Sequence, residues 1–375
     1  MTQTETNTQD QEELRLLRDS VQTLFDRAGG SGRTRKLRDA DTGFSKEMIG
    51  ELAEAGVFGV AVPEENGGLG MGLAAAGVIA EEAGRVLAPE PVVATIGLVT
   101  GLLRRLCPDH RLLEMVIAGE TVLATAWQER GPTGVAASRS CRYADGKLTG
   151  AKAWVGGAVE ADGFLVVAEG GDGTVLAYVE AGAAGLSVDG RQQADGSALG
   201  ELSFSGAAAG CLAEGPDVEA ALAGAVNDAT ALAAAELVGL SGRAFEIVLD
   251  YVKTREQFDK PIGAFQVIQH RAVDLHVMQE VAEAGVREAL SVMDDTAVDP
   301  QMHARQASRA KARAGAAAKK ITREAIQLHG AVGYTDEFDI GLYLNRALVL
   351  SAWLGDDAYH RRLWLDAREA EEAAG

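Results

Sequence analysis

Cysteine is scarce and scattered. Cys107, Cys141 and Cys211 are odd in number and join no CxxC or Cys/His cluster. That spacing excludes a disulfide framework and a zinc site, and it fits a reducing cytoplasm. Long apolar runs are also missing. The Ala-rich stretch from Ala220 is interrupted by Asn227, Asp228 and Glu236, so its pieces are too short to span a membrane. Met1 to Asp10 is polar and has no apolar h-region, so no signal peptide is expected. Positive charge is in deficit: 35 Lys plus Arg against 55 Asp plus Glu give a formal net charge of −20. Such a surface repels nucleic-acid phosphates and anionic membranes, although a few local arginines can still hold an anionic ligand. Gly67-Gly-Leu-Gly-Met-Gly72 lacks the GxGxxG order and is followed by no Walker lysine and hydroxyl. It reads as a turn between helices.

What is present is a globular balance, with 47% hydrophobic and 24% charged residues over 375 positions, enough for two or three units. After a short tail expected to be disordered (1–11), apolar residues at Leu14, Leu17, Val21, Leu24 and Phe25 follow helical spacing. Helical patterning continues to about residue 120, with Ser45 placed to cap the helix that holds Met48, Ile49 and Leu52. Between 121 and 215 the chain turns rich in Gly, Val and Thr. Leu148–Val155, Gly163–Ala168 and Thr174–Val179 read as strands of a small β-sandwich or barrel. From 216 to 375 the spacing is helical again and predicts an antiparallel bundle, with breaks at Pro261 and Pro300.

Three segments carry chemistry. Leu148-Thr-Gly-Ala-Lys-Ala-Trp-Val155 puts Trp154 on a strand, where its flat face can stack on a ring or fill a core. Thr254-Arg-Glu-Gln-Phe-Asp-Lys-Pro-Ile-Gly-Ala-Phe-Gln266 sets Arg255 at fixed distances from Phe258 and Gln266. A guanidinium suits a diphosphate; a solvated charge at a helix end is the plainer alternative. In Gln327-Leu-His-Gly-Ala-Val-Gly-Tyr334 the glycines permit close backbone approach, or cap a helix, or both. His329 reads as packed or capping rather than as a general base.

These motifs, at this spacing, resemble the flavin-dependent acyl-CoA dehydrogenase family over about residues 12 to 368. The resemblance implies a mainly α fold with an N-terminal helical domain, a middle β domain and a C-terminal four-helix bundle. It implies FAD as cofactor and an acyl-CoA thioester as substrate, with an electron-transfer flavoprotein as the usual acceptor. Trp154 would pack beside the flavin ring. Arg255, Phe258, Gln266, Gln327, Gly330 and Gly333 would contact the ADP half of an FAD bound mostly by a neighbouring subunit.

The chain also departs from the family. Asp259 replaces a usual Gly and adds a carboxylate close to the phosphates. The reaction needs a general base for a weakly acidic α-proton. The usual Glu position is Leu354 in Trp353-Leu-Gly-Asp356, and the alternative position on an earlier bundle helix is Ala229. Asp228 and Asp356 lie nearby as weak substitutes. The Thr-Glu-Pro-x-x-Gly-Ser segment that holds a subunit's own flavin appears as Gln128-Glu-Arg-Gly-Pro-Thr-Gly134, and the Thr that donates to the flavin ring is Gly156. Residues for a partner's flavin remain while the base and the residues for the chain's own flavin are gone. This pattern is similar to the non-catalytic subunit of actinobacterial heterotetramers, whose homologous partner carries the base and which often act on bulky acyl-CoAs such as steroid side chains. A self-sufficient dehydrogenase with a relocated base, and a flavin-free acyl-CoA-binding or scaffold protein, are the alternatives.

Overall fold

The computed structural model describes residues 3–39, 43–131, 139–295, 297–336 and 338–374, the side chains at 3–10 and 370–374 excepted. Helices α1 (Gln3–Arg27), α2 (Gly30–Asp39), α3 (Lys46–Glu54), α4 (Gly72–Arg85), α5 (Val92–Ala94), α6 (Thr100–Leu106) and α7 (Arg111–Ile117) come first. Strands β1 (Leu123–Ala126), β2 (Arg142–Ala144), β3 (Lys147–Gly156), β4 (Gly163–Glu169), β5 (Thr174–Glu180), β6 (Leu186–Gln192), β7 (Ala198–Ala208) and β8 (Gly210–Glu214) follow. Helix α8 (Pro216–Thr254), a short hairpin β9 (Glu256–Gln257) and β10 (Lys260–Pro261), then α9 (Gln266–Asp294), α10 (Pro300–His329), α11 (Ile340–Ala352) and α12 (Asp357–Ala374) complete the chain. The tail expected over 1–11 is helical from Gln3. Its polar residues show no apolar period, but Gln and Glu are adequate helix formers.

The chain forms two compact units: Met1–Lys36, Leu73–Ala88 and Thr230–Gly375 in one, Leu37–Gly72 and Pro89–Ala229 in the other. Residues of the segment 12–120 contribute to both units. An amphipathic helix is stable only where its apolar face finds a partner, and those partners lie in different parts of the sequence.

In the unit that holds the strands, Ser45 accepts from the Met48 amide and caps α3, whose Met48, Ile49 and Leu52 are buried. The Gly67–Gly72 segment is a turn: the amides of Gly67 through Met71 all donate to backbone carbonyls between Gly59 and Glu64. They are spent internally, which leaves no amide cradle for a phosphate. The strands join in one sheet of order β6-β7-β3-β2-β4-β5-β8, with β1 parallel to β4. The three strands read from the sequence correspond to β3, β4 and β5. Side chains from β3 and β7 meet those from β4 and β5 in a single core that includes Leu148, Phe164, Val166, Val175, Leu202 and Phe204. An ion pair with a buried lysine anchors β3. Lys152 Nζ lies 2.6 Å from Glu129, which also accepts from the Ser140 amide and hydroxyl and the Cys141 amide. Burial alone would raise the Glu129 carboxyl, but the bonds from Lys152 and Ser140 outweigh it and hold the group at about 2. A π-helical turn, Thr95–Val99, joins α5 to α6.

In the helical unit, α4 and α8 cross with their backbones touching. A Cβ on Gly84 would collide with the Glu236 carbonyl, and one on Gly239 with the Glu81 carbonyl. Small residues make this approach possible, and charged groups secure its edges. Glu236, 3% exposed, receives Arg346 at 2.8 Å, while Arg18 holds Glu81 and Glu82. Asp299 caps α10 with Pro300 in its first turn, the break expected at that proline. Among the described residues no helix is long and apolar enough to cross a membrane, and no three His, Cys, Asp or Glu side chains gather as a metal site.

Candidate functional site

The helical unit brings the two C-terminal motifs together. The end of α8 meets the end of α10 through Tyr251, whose ring stacks on His329 at 4.2 Å and whose hydroxyl donates to the His329 carbonyl at 3.3 Å. Arg255 follows Tyr251 by one turn, and Gln327 lies in the last turn of α10. His329 is 3% exposed and its Nδ1 sits 2.7 Å from the Ala325 carbonyl. Burial lowers its pKa below the ordinary value. It is a packed histidine, as the sequence reading expects.

Beyond α8 the chain reverses through β9 and β10, paired Gln257 to Lys260. The two turn residues are Phe258 and Asp259, with φ of 55° and 61°. Two positive φ values in a two-residue hairpin define a type I′ turn, which glycine enters without cost and Asp with less strain than most residues. The family's Gly at this position therefore has a backbone reason. Phe258 is 84% exposed and stands edge-on to Phe265, over which Lys260 Nζ sits at 4.3 Å. Arg255, Gln266 and Gln327 are exposed, and their side chains make no hydrogen bond or ion pair among the described residues. Asp259→Gly should relieve the turn and raise stability by about 1 kcal/mol. Chemical denaturation measures it, and an unchanged or lower midpoint would refute the strain argument.

The glycines of the second motif serve different ends. Gly330 caps α10 at φ 67°, ψ −142°, a conformation close to glycine's own, and nothing lies within 4 Å of where its Cβ would stand. Gly333 is buried, and its Cβ would fall 2.8 Å from the Ile326 carbonyl. Gly330 leaves open space for a ligand; Gly333 is needed for packing against α10. An exposed guanidinium, two uncommitted amides and an open glycine turn fit the diphosphate half of an FAD by the chemistry of the donor set.

The strand unit carries the other candidates. Trp154 is 39% exposed and has φ 55°, at the register shift between Lys152 and Val155 where β3 bulges away from β7. The bulge turns its indole outward instead of into the core. The Lys152–Glu129 pair fixes the strand just before it. Gly156 offers no side-chain donor, and space around it is open. Gln128 presents its carbonyl to the Ala153 amide. Pro132, Thr133 and Gly134 lie outside the described residues.

The two positions at which the resemblance would place a base are apolar and closed. Leu354, 8% exposed, sits in the turn between α11 and α12 at φ 61°. Ala229 is fully buried, and a Cβ on Gly97 of the π-helical turn would fall 2.5 Å from its Cα. Asp228 faces another way: its carboxylate receives Arg104 at 2.7 Å and Arg105 at 2.8 Å. Asp356 is exposed and caps α12 by accepting from the Tyr359 amide at 2.7 Å. Four of the six non-glycine residues with positive φ among the described residues are Trp154, Phe258, Asp259 and Leu354. Strain of this kind collects where surrounding structure imposes it for function.

Sequence reasoning did not find the arginine clamp on Asp228, the Lys152–Glu129 pair, or Lys311, whose buried ammonium reaches the Leu354 turn. A lysine in Arg-Ala-Lys-Ala-Arg313 carries no mark of burial.

Models of the acyl-CoA dehydrogenase N-terminal and C-terminal domains match residues 11–109 and 220–367. The chain is 27% identical to acyl-CoA dehydrogenase IpdE2 of Mycobacterium tuberculosis, over 90% of this chain and 91% of the relative. Among solved structures it is similar to a variant of the Tcur3481–Tcur3483 steroid ACAD, with 30% identity, TM-score 0.85, and 98% and 100% of the two chains covered. It is also similar to the ChsE4–ChsE5 complex of Mycobacterium tuberculosis, with 25% identity, TM-score 0.84, and 96% and 97% covered.

Proposed function

Since the chain belongs to the acyl-CoA dehydrogenase family, we propose that it is one subunit of a heteromeric FAD-dependent acyl-CoA dehydrogenase and lends cofactor-binding surface to a catalytic partner. One contrast carries this reading. Both positions from which a base would act are apolar and buried, Leu354 in its turn and Ala229 against Gly97, while Arg255, Gln266 and Gln327 stand exposed and uncommitted. FAD, when bound, accepts the hydride that leaves the acyl chain at Cβ. Arg255 would pair with its diphosphate, Gln266 and Gln327 would donate to its ADP half, and Gly330 would let that half approach the backbone. Trp154 would flank a flavin ring, but with Gly156 and Gln128 in place of the family's usual residues this subunit's own flavin would be poorly held. Each missing hydrogen bond costs about 1 kcal/mol.

The two-component names of the solved relatives support a heteromer, and the steroid enzyme among them suggests a bulky acyl-CoA as substrate. An electron-transfer flavoprotein in a reducing cytoplasm is the proposed acceptor. Co-expression with a Glu-bearing family member should yield a heterotetramer with one FAD per unlike pair, while the chain alone should purify with little flavin. A flavin-loaded homotetramer that oxidises acyl-CoA would overturn the proposal. A complex that forms with no flavin spectrum would favour a scaffold.

A further inference from the structure

The turn that carries Leu354 is unusual in how it is held. Helix α11 ends at Ala352, and its last carbonyls have no partner within the helix. Many helices solve this with a glycine in the left-handed conformation. Here the left-handed residue is Leu354, which incurs a Cβ penalty, and Gly355 follows at φ 112°. Lys311, in the middle of α10 and 1% exposed, reaches across. Its Nζ donates to the carbonyls of Ser351 at 3.2 Å, Trp353 at 2.9 Å and Gly355 at 3.0 Å. An ammonium has three N–H donors, and all three are used on one turn. Below it His360, 3% exposed, meets the Ser308 hydroxyl at 3.2 Å, and its ring would lie 3.1 Å from a Cβ on Gly355. The turn is therefore enclosed by α10 and α12.

We propose that Lys311 is a positioning residue: it holds the turn after α11 in its left-handed form and so keeps Leu354 seated, buried, at the position from which a relative's base acts. Only the naming of that position rests on the family reading. The clamp concerns the turn itself, so its test is independent of whether a partner subunit is found.

The charge environment makes the clamp sensitive to pH. Burial lowers the Lys311 ammonium most, Lys319 on the same helix lowers it further, and Asp356 and Asp357 partly compensate, leaving it at about 7. His360 of α12 lies close enough for Lys311 to help burial lower its pKa to about 4, so it is neutral near pH 7. Ser351 of α11 adds no charge. Asp357 is itself paired with Lys319 at 2.5 Å. Opening of the turn would return the ammonium to water and to its ordinary pKa, so opening is favoured while Lys311 is charged and disfavoured once it has lost its proton.

Hydrogen exchange by mass spectrometry on the purified protein, with its partner if one is required, tests this. Rates are corrected for the intrinsic effect of pH. Between about pH 6 and pH 8.5 the peptide spanning 351–357 should gain about tenfold in protection, because a lysine whose pKa is lowered by burial favours opening while it is charged, whereas strands β3 to β5 stay constant. Lys311→Met should show the high rate at both pH values. Wild-type protection of this peptide in Lys311→Met, or in the milder Lys311→Gln where the methionine variant does not fold, overturns the proposal. So does a pH response that persists in Lys311→Met.

Discussion

Replacing Arg255 by Ala in the assembled complex is expected to weaken FAD retention by about 10- to 100-fold. A charge-assisted hydrogen bond contributes about 1.5–3 kcal/mol, and each 1.4 kcal/mol is a factor of ten. The effect should be large because the side chain has no intramolecular role to lose: it is exposed and makes no pair among the described residues. Folding stability should hardly change. The loss should also shrink as salt rises, since a surface guanidinium acts on phosphate through a screened field. Flavin-to-protein ratio after dialysis, with a thermal midpoint alongside, separates the two effects. Equal flavin content in Arg255→Ala and wild type would sink the assignment of this face to the cofactor. Asp259→Gly gives the opposite sign in the same assay, because it removes a carboxylate from the neighbouring turn.

The reach of the sequence is clearest at positions where side-chain pattern and backbone geometry demand the same residue. Ser45, the β3–β5 strands and Pro300 were legible because each signals its element by itself, through a cap, a short apolar run rich in β-formers and bounded by turns, or a fixed φ. Strand β6 was not, since most of its residues are exposed and its sequence Leu-Ser-Val-Asp-Gly-Arg-Gln192 lacks a sustained apolar alternation. The motif residues were legible only through their resemblance to a family. What the structure adds is the reason for several of them: Trp154, Phe258, Asp259 and Leu354 all hold left-handed backbone that the chain elsewhere mostly assigns to glycine. The Gln327 motif shows the converse limit. Its two glycines look alike in the sequence, but one is open and one is packed. Lys311 and the Arg104–Asp228–Arg105 cluster were invisible because burial of a charge depends on partners some forty or more positions away.

Relocation of the base to the middle of α8 predicts a gain that the packing forbids. If Ala229 marked a site that had merely lost its carboxylate, Ala229→Glu would restore turnover. The close approach of Gly97 to the Ala229 backbone leaves no volume for a larger side chain, and a carboxylate buried there is costly. Overpacking costs about 1–3 kcal/mol, and an unpaired buried charge adds several more, so the variant should lose at least about 3 kcal/mol and remain inactive. Denaturation midpoints and acyl-CoA oxidation in the complex check both halves. A stable, active Ala229→Glu protein would show that α8 can open to substrate and would return the chain to the self-sufficient class. Asp228→Asn distinguishes the neighbouring residue. Its carboxylate joins Arg104 and Arg105, and Arg104 also donates to the Ala61 carbonyl. Loss of that charge leaves two guanidiniums facing one another and should cost about 3 kcal/mol. A base would behave otherwise: its loss would abolish turnover and leave the fold untouched. In this chain the carboxylate closest to the alternative base position is committed to holding α6 on α8, which is why its removal should be felt in stability first.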